Sequence, residues 1–102
     1  MVSELFQRYR FLKKIAELDG VDQIWLYGSR AREDNWNRSD IDIAIVCPNI
    51  SKDNWFKVGK IIEDADTLLG IDCVRFDTLP EGIFKSNILK DKIVLFKRGS
   101  NE

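Results

Sequence analysis

Between residues 40 and 46 the chain runs Asp-Ile-Asp-Ile-Ala-Ile-Val, a strict alternation of apolar and other side chains. That period is the signature of a β-strand with one face buried. Successive strand side chains point to opposite faces, so Ile41, Ile43 and Ile45 line one side and Asp40 and Asp42 begin the other. The isoleucine side demands a core, and the aspartate side cannot enter one unaided. Ala44 and Val46 share the aspartates' side, which predicts that this second face is covered further along the strand. Pro48 closes the run.

The rest of the chain supplies partners for such a strand. Val2, Leu5, Phe6, Tyr9, Leu12, Ile15, Ala16 and Leu18 recur at helical spacing, predicting an amphipathic helix over residues 2–18 that the pair Asp19-Gly20 ends. Residues 21–27 are rich in β-branched and aromatic types and predict a strand. Ser51 is a candidate N-cap for a helix over 52–69, with Gly70 in the position just past its end. Residues 71–76 predict a third strand, 81–90 a weaker helix, and 92–96 a fourth strand, with a frayed tail from 97. The order α-β-β-α-β-α-β predicts an α/β (α+β) fold, a mixed four-stranded sheet with helices packed on it. At 102 residues the expectation is one domain over residues 1–102, with one modest core.

Composition narrows the chemistry. The chain has no histidine, which excludes Ser-His-Asp and Cys-His machinery, His-ligated zinc and a histidine base. Sixteen Lys and Arg against seventeen Asp and Glu leave a net charge of −1, so no basic field draws it onto nucleic acid. Cys47 and Cys73 stand alone, without a CxxC pair or further ligands, and predict reduced thiols in a core. No signal-like segment opens the chain and no apolar run approaches the roughly 20 residues of a membrane span, so a cytoplasmic protein is expected.

The chemistry concentrates in two places. Asp40 and Asp42, at i and i+2, share a strand face with Cα atoms about 6.5–7 Å apart, close enough to converge on a hard cation such as Mg²⁺. Taken alone, the pair is equally consistent with solvated side chains on an outer face. Asp72 opens the third strand, on the same side as Val74 and Phe76. If that strand lies beside the second, Asp72 joins the aspartates, and three carboxylates suit a two-metal site or a proton acceptor. Asp77 competes for that role but sits in a turn before Thr78-Leu79-Pro80. Gly28-Ser29 follows the first strand at once, a turn whose backbone N–H groups suit phosphate oxygens. Arg30 and Arg32, with Arg38 behind them, are local cations for a triphosphate, with pairing to Glu33 or Asp34 as the plainer alternative. Trp36 is expected to be a half-covered loop aromatic, Trp25 and Trp55 core or helix-face residues, and Lys85, Lys90, Lys92, Lys97 and Arg98 a solvated face. Walker, GxGxxG and kinase motifs are absent.

Gly28-Ser29, ten intervening residues, Asp40-Ile41-Asp42 and a later strand acid in Ile71-Asp72-Cys73-Val74 together resemble the nucleotidyltransferase superfamily of the DNA polymerase β-like fold. At this length, with GSRAR followed by SDIDIAIV, the chain resembles the minimal nucleotidyltransferases, antitoxins paired with HEPN-domain toxins. The resemblance spans about residues 20–96. It implies that Gly28, Ser29 and Arg30 bind the nucleotide. It further implies that Asp40, Asp42 and Asp72 are both the catalytic and the metal-binding set, holding Mg²⁺, two ions by family habit. The implied reaction transfers AMP from ATP to a tyrosine of the HEPN toxin. One departure is Glu33, where many relatives carry glycine. So small a body implies that a partner completes the site, in a homo- or hetero-oligomer. Two other readings stand beside it: an antitoxin that neutralises its toxin by binding alone, and a nucleotidyltransferase acting on a small molecule or an RNA end.

Overall fold

The computed structural model describes residues 6–28 and 40–99. Helix α1 (Arg10–Ala16) leads into strand β1 (Gln23–Tyr27). Strand β2 (Ile41–Val46), helix α2 (Lys52–Glu63) and strand β3 (Ile71–Arg75) follow. A 3₁₀ turn (Phe76–Thr78), helix α3 (Ile83–Asp91) and strand β4 (Ile93–Lys97) complete the order. The four strands form one sheet in the order β3-β2-β1-β4. β1 runs antiparallel to both β2 and β4, and β2 runs parallel to β3, so the sheet is mixed as the element order predicts. Among the described residues no helix is long and apolar enough to cross a membrane.

The alternation in β2 sorts the sheet into two faces. Ile41, Ile43 and Ile45 are wholly buried with Ile24 and Leu26 of β1, under Phe11, Leu12 and Ile15 of α1 and Val58 of α2. Among the described residues the second face is covered by α3, whose Ile88 is buried against Trp25 and Ala44, together with Phe76 and Leu79 from the segment before it. The Trp25 ring meets Phe76 edge-on, with centroids 4.8 Å apart. The cover that Ala44 and Val46 call for is therefore α3.

Two predicted helix boundaries move, the first through a distant contact and the second through a local one. The first helix is interrupted at Tyr9, which is extended (φ −108°, ψ 116°). Residues 6–8 are helical before it. The N–H of Arg10 that this break frees is taken by the Asp66 carboxylate at 3.4 Å, a cap from a distant segment. α2 starts as predicted, with Ser51 Oγ accepting from the Asn54 N–H at 3.0 Å, but it stops at Glu63 instead of 69. There Thr67 Oγ accepts the Leu69 N–H at 3.0 Å, so a side chain takes over the backbone bonding that a helix would have used. The C-terminal cations are not a uniform solvated face either. Arg98 donates to the carbonyls of Ala16, Leu18 and Val21, closing the end of α1. Lys92 lies 4.4 Å over the Trp25 ring and Lys85 5.2 Å over that of Phe76.

Candidate active site

β1 ends because Gly28 turns into the left-handed region (φ +77°), which ordinary side chains rarely adopt. In the β1–β2 ladder Tyr27 stands opposite Asp42, and in the β2–β3 ladder Asp42 stands opposite Asp72. Residues directly opposite share a face, so Tyr27, Asp42 and Asp72 lie in a row across three strands. The parallel pairing of β3 with β2 is what makes the third acid a neighbour of the second.

The two carboxyls meet. Burial first, then the charge of Asp72, a hydrogen bond to Asp72 and the charge of Asp40 push the Asp42 carboxyl above its ordinary value. The same surroundings act on Tyr27: burial, then the charges of Asp42 and Asp72, push its phenol up to about 12. Tyr27 is held from the other side by Phe84 in the first turn of α3, edge to face at 5.8 Å. Among the described residues no ion pair neutralises Asp40, Asp42 or Asp72.

Each member of the Asp-x-Asp pair lies against a glycine. A Cβ on Gly28 would collide with the Asp42 carboxylate, and one on Gly70 would sit 2.9 Å from Asp40 Oδ1. Asp40 itself is exposed. Among the described residues no three acid or thiol side chains are gathered tightly enough to enclose a cation as placed. Asp42 and Asp72 meet, and Asp40 would have to swing from Gly70 to join them. In kind, the donor set fits a hard divalent cation: carboxylate oxygens only, two of them pressed together as like charges and open to solvent on one side. Ser29, Arg30, Arg32, Glu33, Trp36 and Arg38 lie outside the described residues.

Asp77 is removed from contention by its position. It accepts the backbone N–H of Cys47, and Arg75 donates to the Cys47 carbonyl at 3.1 Å, so the two clamp the end of β2 opposite to Asp42. Arg75 also covers the Trp55 ring at 5.7 Å. Cys47 and Cys73 are free thiols, the first buried, and burial pushes both above the ordinary thiol value, to about 11 and about 12. A small cleft lined by Arg10, Lys14, Asp64 and Asp66 lies under α1 and α2, away from the acids. Sequence reasoning missed Tyr27 and Gly70. The signal for Tyr27 was its parity with Trp25, legible only once β1 is known to pair with β2.

A mixed sheet that presents carboxylates from adjacent parallel strands, beside a glycine turn at the end of a third, has the nucleotidyltransferase fold. Residues 11–101 match the family Polymerase beta, Nucleotidyltransferase, and the chain belongs to that family. Two solved structures share the fold. One is a mutant of the toxin–antitoxin complex MntA–HpeT: TM-score 0.62 at 13% identity, over 97% of this chain and 75% of that one. The other is a Sulfolobus solfataricus protein described as a nucleotidyltransferase: TM-score 0.57 at 26% identity, over 95% of this chain and 81% of that one. No protein of curated function matches by sequence.

Proposed function

We propose that this chain is an antitoxin enzyme that transfers AMP from ATP to a hydroxyl, a tyrosine by resemblance, on a partner HEPN-domain toxin. The observation that carries the reading is the meeting of Asp42 and Asp72 across β2 and β3, with Gly28 packed against Asp42. The mutant MntA–HpeT complex adds support, since two aspartates two residues apart in that protein are replaced by glutamate, the spacing of Asp40 and Asp42.

Asp40, Asp42 and Asp72 would hold Mg²⁺, which when bound supplies positive charge to the phosphate oxygens at the reacting centre. Gly28 lets the backbone approach the triphosphate, and Ser29 and Arg30 follow it in sequence as nucleotide-binding residues. Tyr27 stays protonated at physiological pH, so it brings no further negative charge to the row. Asp72 is exposed and can reach an incoming acceptor. The acceptor oxygen attacks the α-phosphorus, its proton passes to Asp72, and pyrophosphate leaves.

The test is to incubate the protein with ATP, Mg²⁺ and the product of the neighbouring gene, then weigh both by intact mass spectrometry. An adenylyl adduct on the partner is expected, absent with Asp42→Asn or Asp72→Asn. A partner neutralised without an adduct, and equally well by Asp42→Asn, would show a binding antitoxin instead. An adduct on a small molecule or RNA end, with the partner unmodified, would move the acceptor but keep the chemistry.

A further inference from the structure

Lys92 is the one residue between α3 and β4. Its N–H donates to the Ile88 carbonyl at 2.9 Å, closing the helix, and its backbone is already extended (φ −59°, ψ 147°). Ile93 then pairs with Leu26, and Val94 with Trp25, in the antiparallel ladder of β4 with β1. One pair further along, the same register sets Lys92 opposite Tyr27, with Cα atoms about 4.5–5.5 Å apart. Its side chain is on the acids' face: Nζ lies 4.4 Å from the centre of the Trp25 ring, and Trp25 stands opposite Ala44. The row of Asp72, Asp42 and Tyr27 therefore runs on to Lys92, across all four strands. Acids stand at one end of it and a cation at the other.

The neighbouring cations are placed differently. Lys85 pairs with Glu81 and covers Phe76, just past the far end of β3. Arg98 is taken by three carbonyls, and Lys97 stands opposite Gln23 at the other end of β1. Among the described residues no ion pair holds Lys92, whose ammonium rests on Trp25, two residues along β1 from Tyr27.

We propose that Lys92 serves the leaving side of the reaction, binding the β- and γ-phosphates of the nucleotide and the pyrophosphate they become. The inference rests on the transfer proposed above and adds a residue which that reading does not use. In an in-line displacement the attacking and leaving oxygens lie on opposite sides of the phosphorus. Asp72, on β3, receives the acceptor's proton, so the leaving group departs toward β1 and β4, past the Gly28 turn. The acceptor oxygen bonds to the α-phosphorus as the bond to the bridging oxygen breaks. That oxygen keeps the electron pair, and Lys92 meets the negative charge it gains. A lysine has a flexible four-carbon stem and three donors, so Nζ can exchange the Trp25 ring for phosphate oxygens. A charge-assisted bond to phosphate is the stronger contact of the two.

Isothermal titration with pyrophosphate and Mg²⁺ tests this without any turnover. Lys92→Met is expected to bind pyrophosphate about tenfold or more weakly, the scale of one hydrogen bond to a charged group. Lys92→Arg is expected to bind it more tightly than Lys92→Met, and Lys97→Met as the native protein does. Mn²⁺ binding, followed as loss of the free-ion EPR signal, should be the same in Lys92→Met as in the native protein, because the lysine serves phosphate and not the cation. If Lys92→Met does not melt cooperatively, Lys92→Gln takes its place in every comparison. Native pyrophosphate binding by Lys92→Met overturns the proposal, as does an equal loss in Lys97→Met or a loss of Mn²⁺ binding in Lys92→Met. Those results leave the transfer standing if the native protein still forms the adenylyl adduct. A native protein that binds neither ATP nor pyrophosphate in the presence of Mg²⁺ overturns the transfer and this inference together.

Discussion

The two faces of the sheet are built from the same strands and do opposite things. On β2, Ile41, Ile43 and Ile45 are fully buried beneath α1 and α2, while Asp40 and Asp42, their immediate neighbours in sequence, belong to the side on which α3 packs. Burying one such isoleucine stabilises the fold by roughly 1.5–3 kcal/mol. Pressing two carboxyls together in partly desolvated surroundings costs stability, and the raised Asp42 carboxyl records that cost. α3 stops short of the acids: Ile88 is buried over Ala44, whereas at its first turn Phe84 is half exposed beside Tyr27 and Ile83 is 81% exposed. One face holds the fold and the other presents charge. The strand's alternation lets a single segment serve both.

Substitutions at matched positions should break this division in order of size. Ile43→Ala removes a wholly buried side chain from the closed face and should cost about 2–5 kcal/mol in urea denaturation. Gly28→Ala forces a side chain into left-handed backbone and into the Asp42 carboxylate. About 1–2 kcal/mol is expected for the backbone alone, with Mn²⁺ binding lost as well. Ser51→Ala leaves the Asn54 N–H at the start of α2 without its cap and should cost about 1 kcal/mol, with Mn²⁺ binding unchanged.

Asp42→Asn should change stability least and in the other direction. A carboxyl held above its unfolded value of 3.8 binds its proton more tightly in the folded protein. The stability gained from that proton is full below the unfolded value and is lost as pH rises through the folded one. At neutral pH the native protein carries this penalty and the asparagine variant does not, so Asp42→Asn should melt slightly higher. The difference should vanish as pH falls below 3.8. A variant that melts lower at neutral pH would mean that Asp42 stabilises the acid face, and the contrast between the faces would fail. In the transfer assay the same variant should lose more than about 100-fold in rate, on the scale of removing one preorganised electrostatic contact.

Legibility followed the range of the interactions. The strands were readable because period-two alternation and β-branched runs are local, and the buried face of β2 was readable from three isoleucines. Asp40 and Asp42 stood out because two like charges on one strand face are unusual, and Gly28, an ordinary turn residue by itself, gained weight from its spacing to them. The ends of α1 and α2 were not readable: Tyr9 breaks helical periodicity where Asp66, 56 residues from Arg10, caps the new helix. Arg98 looked like a surface cation and proved to close the end of α1. Asp77 and Asp72 looked like rivals until the strand direction put them at opposite ends.

The amino-acid sequence by itself determined the elements, the face that must be buried and the residue types able to hold a cation, because these depend on period and side-chain chemistry. Only the tertiary structure decided that β3 lies parallel to β2 with Asp72 opposite Asp42, that Tyr27 completes the row, and that the Asp40 carboxylate lies beside Gly70. Register, direction and the space beside a glycine are set by segments far apart in the chain, and no local pattern encodes them.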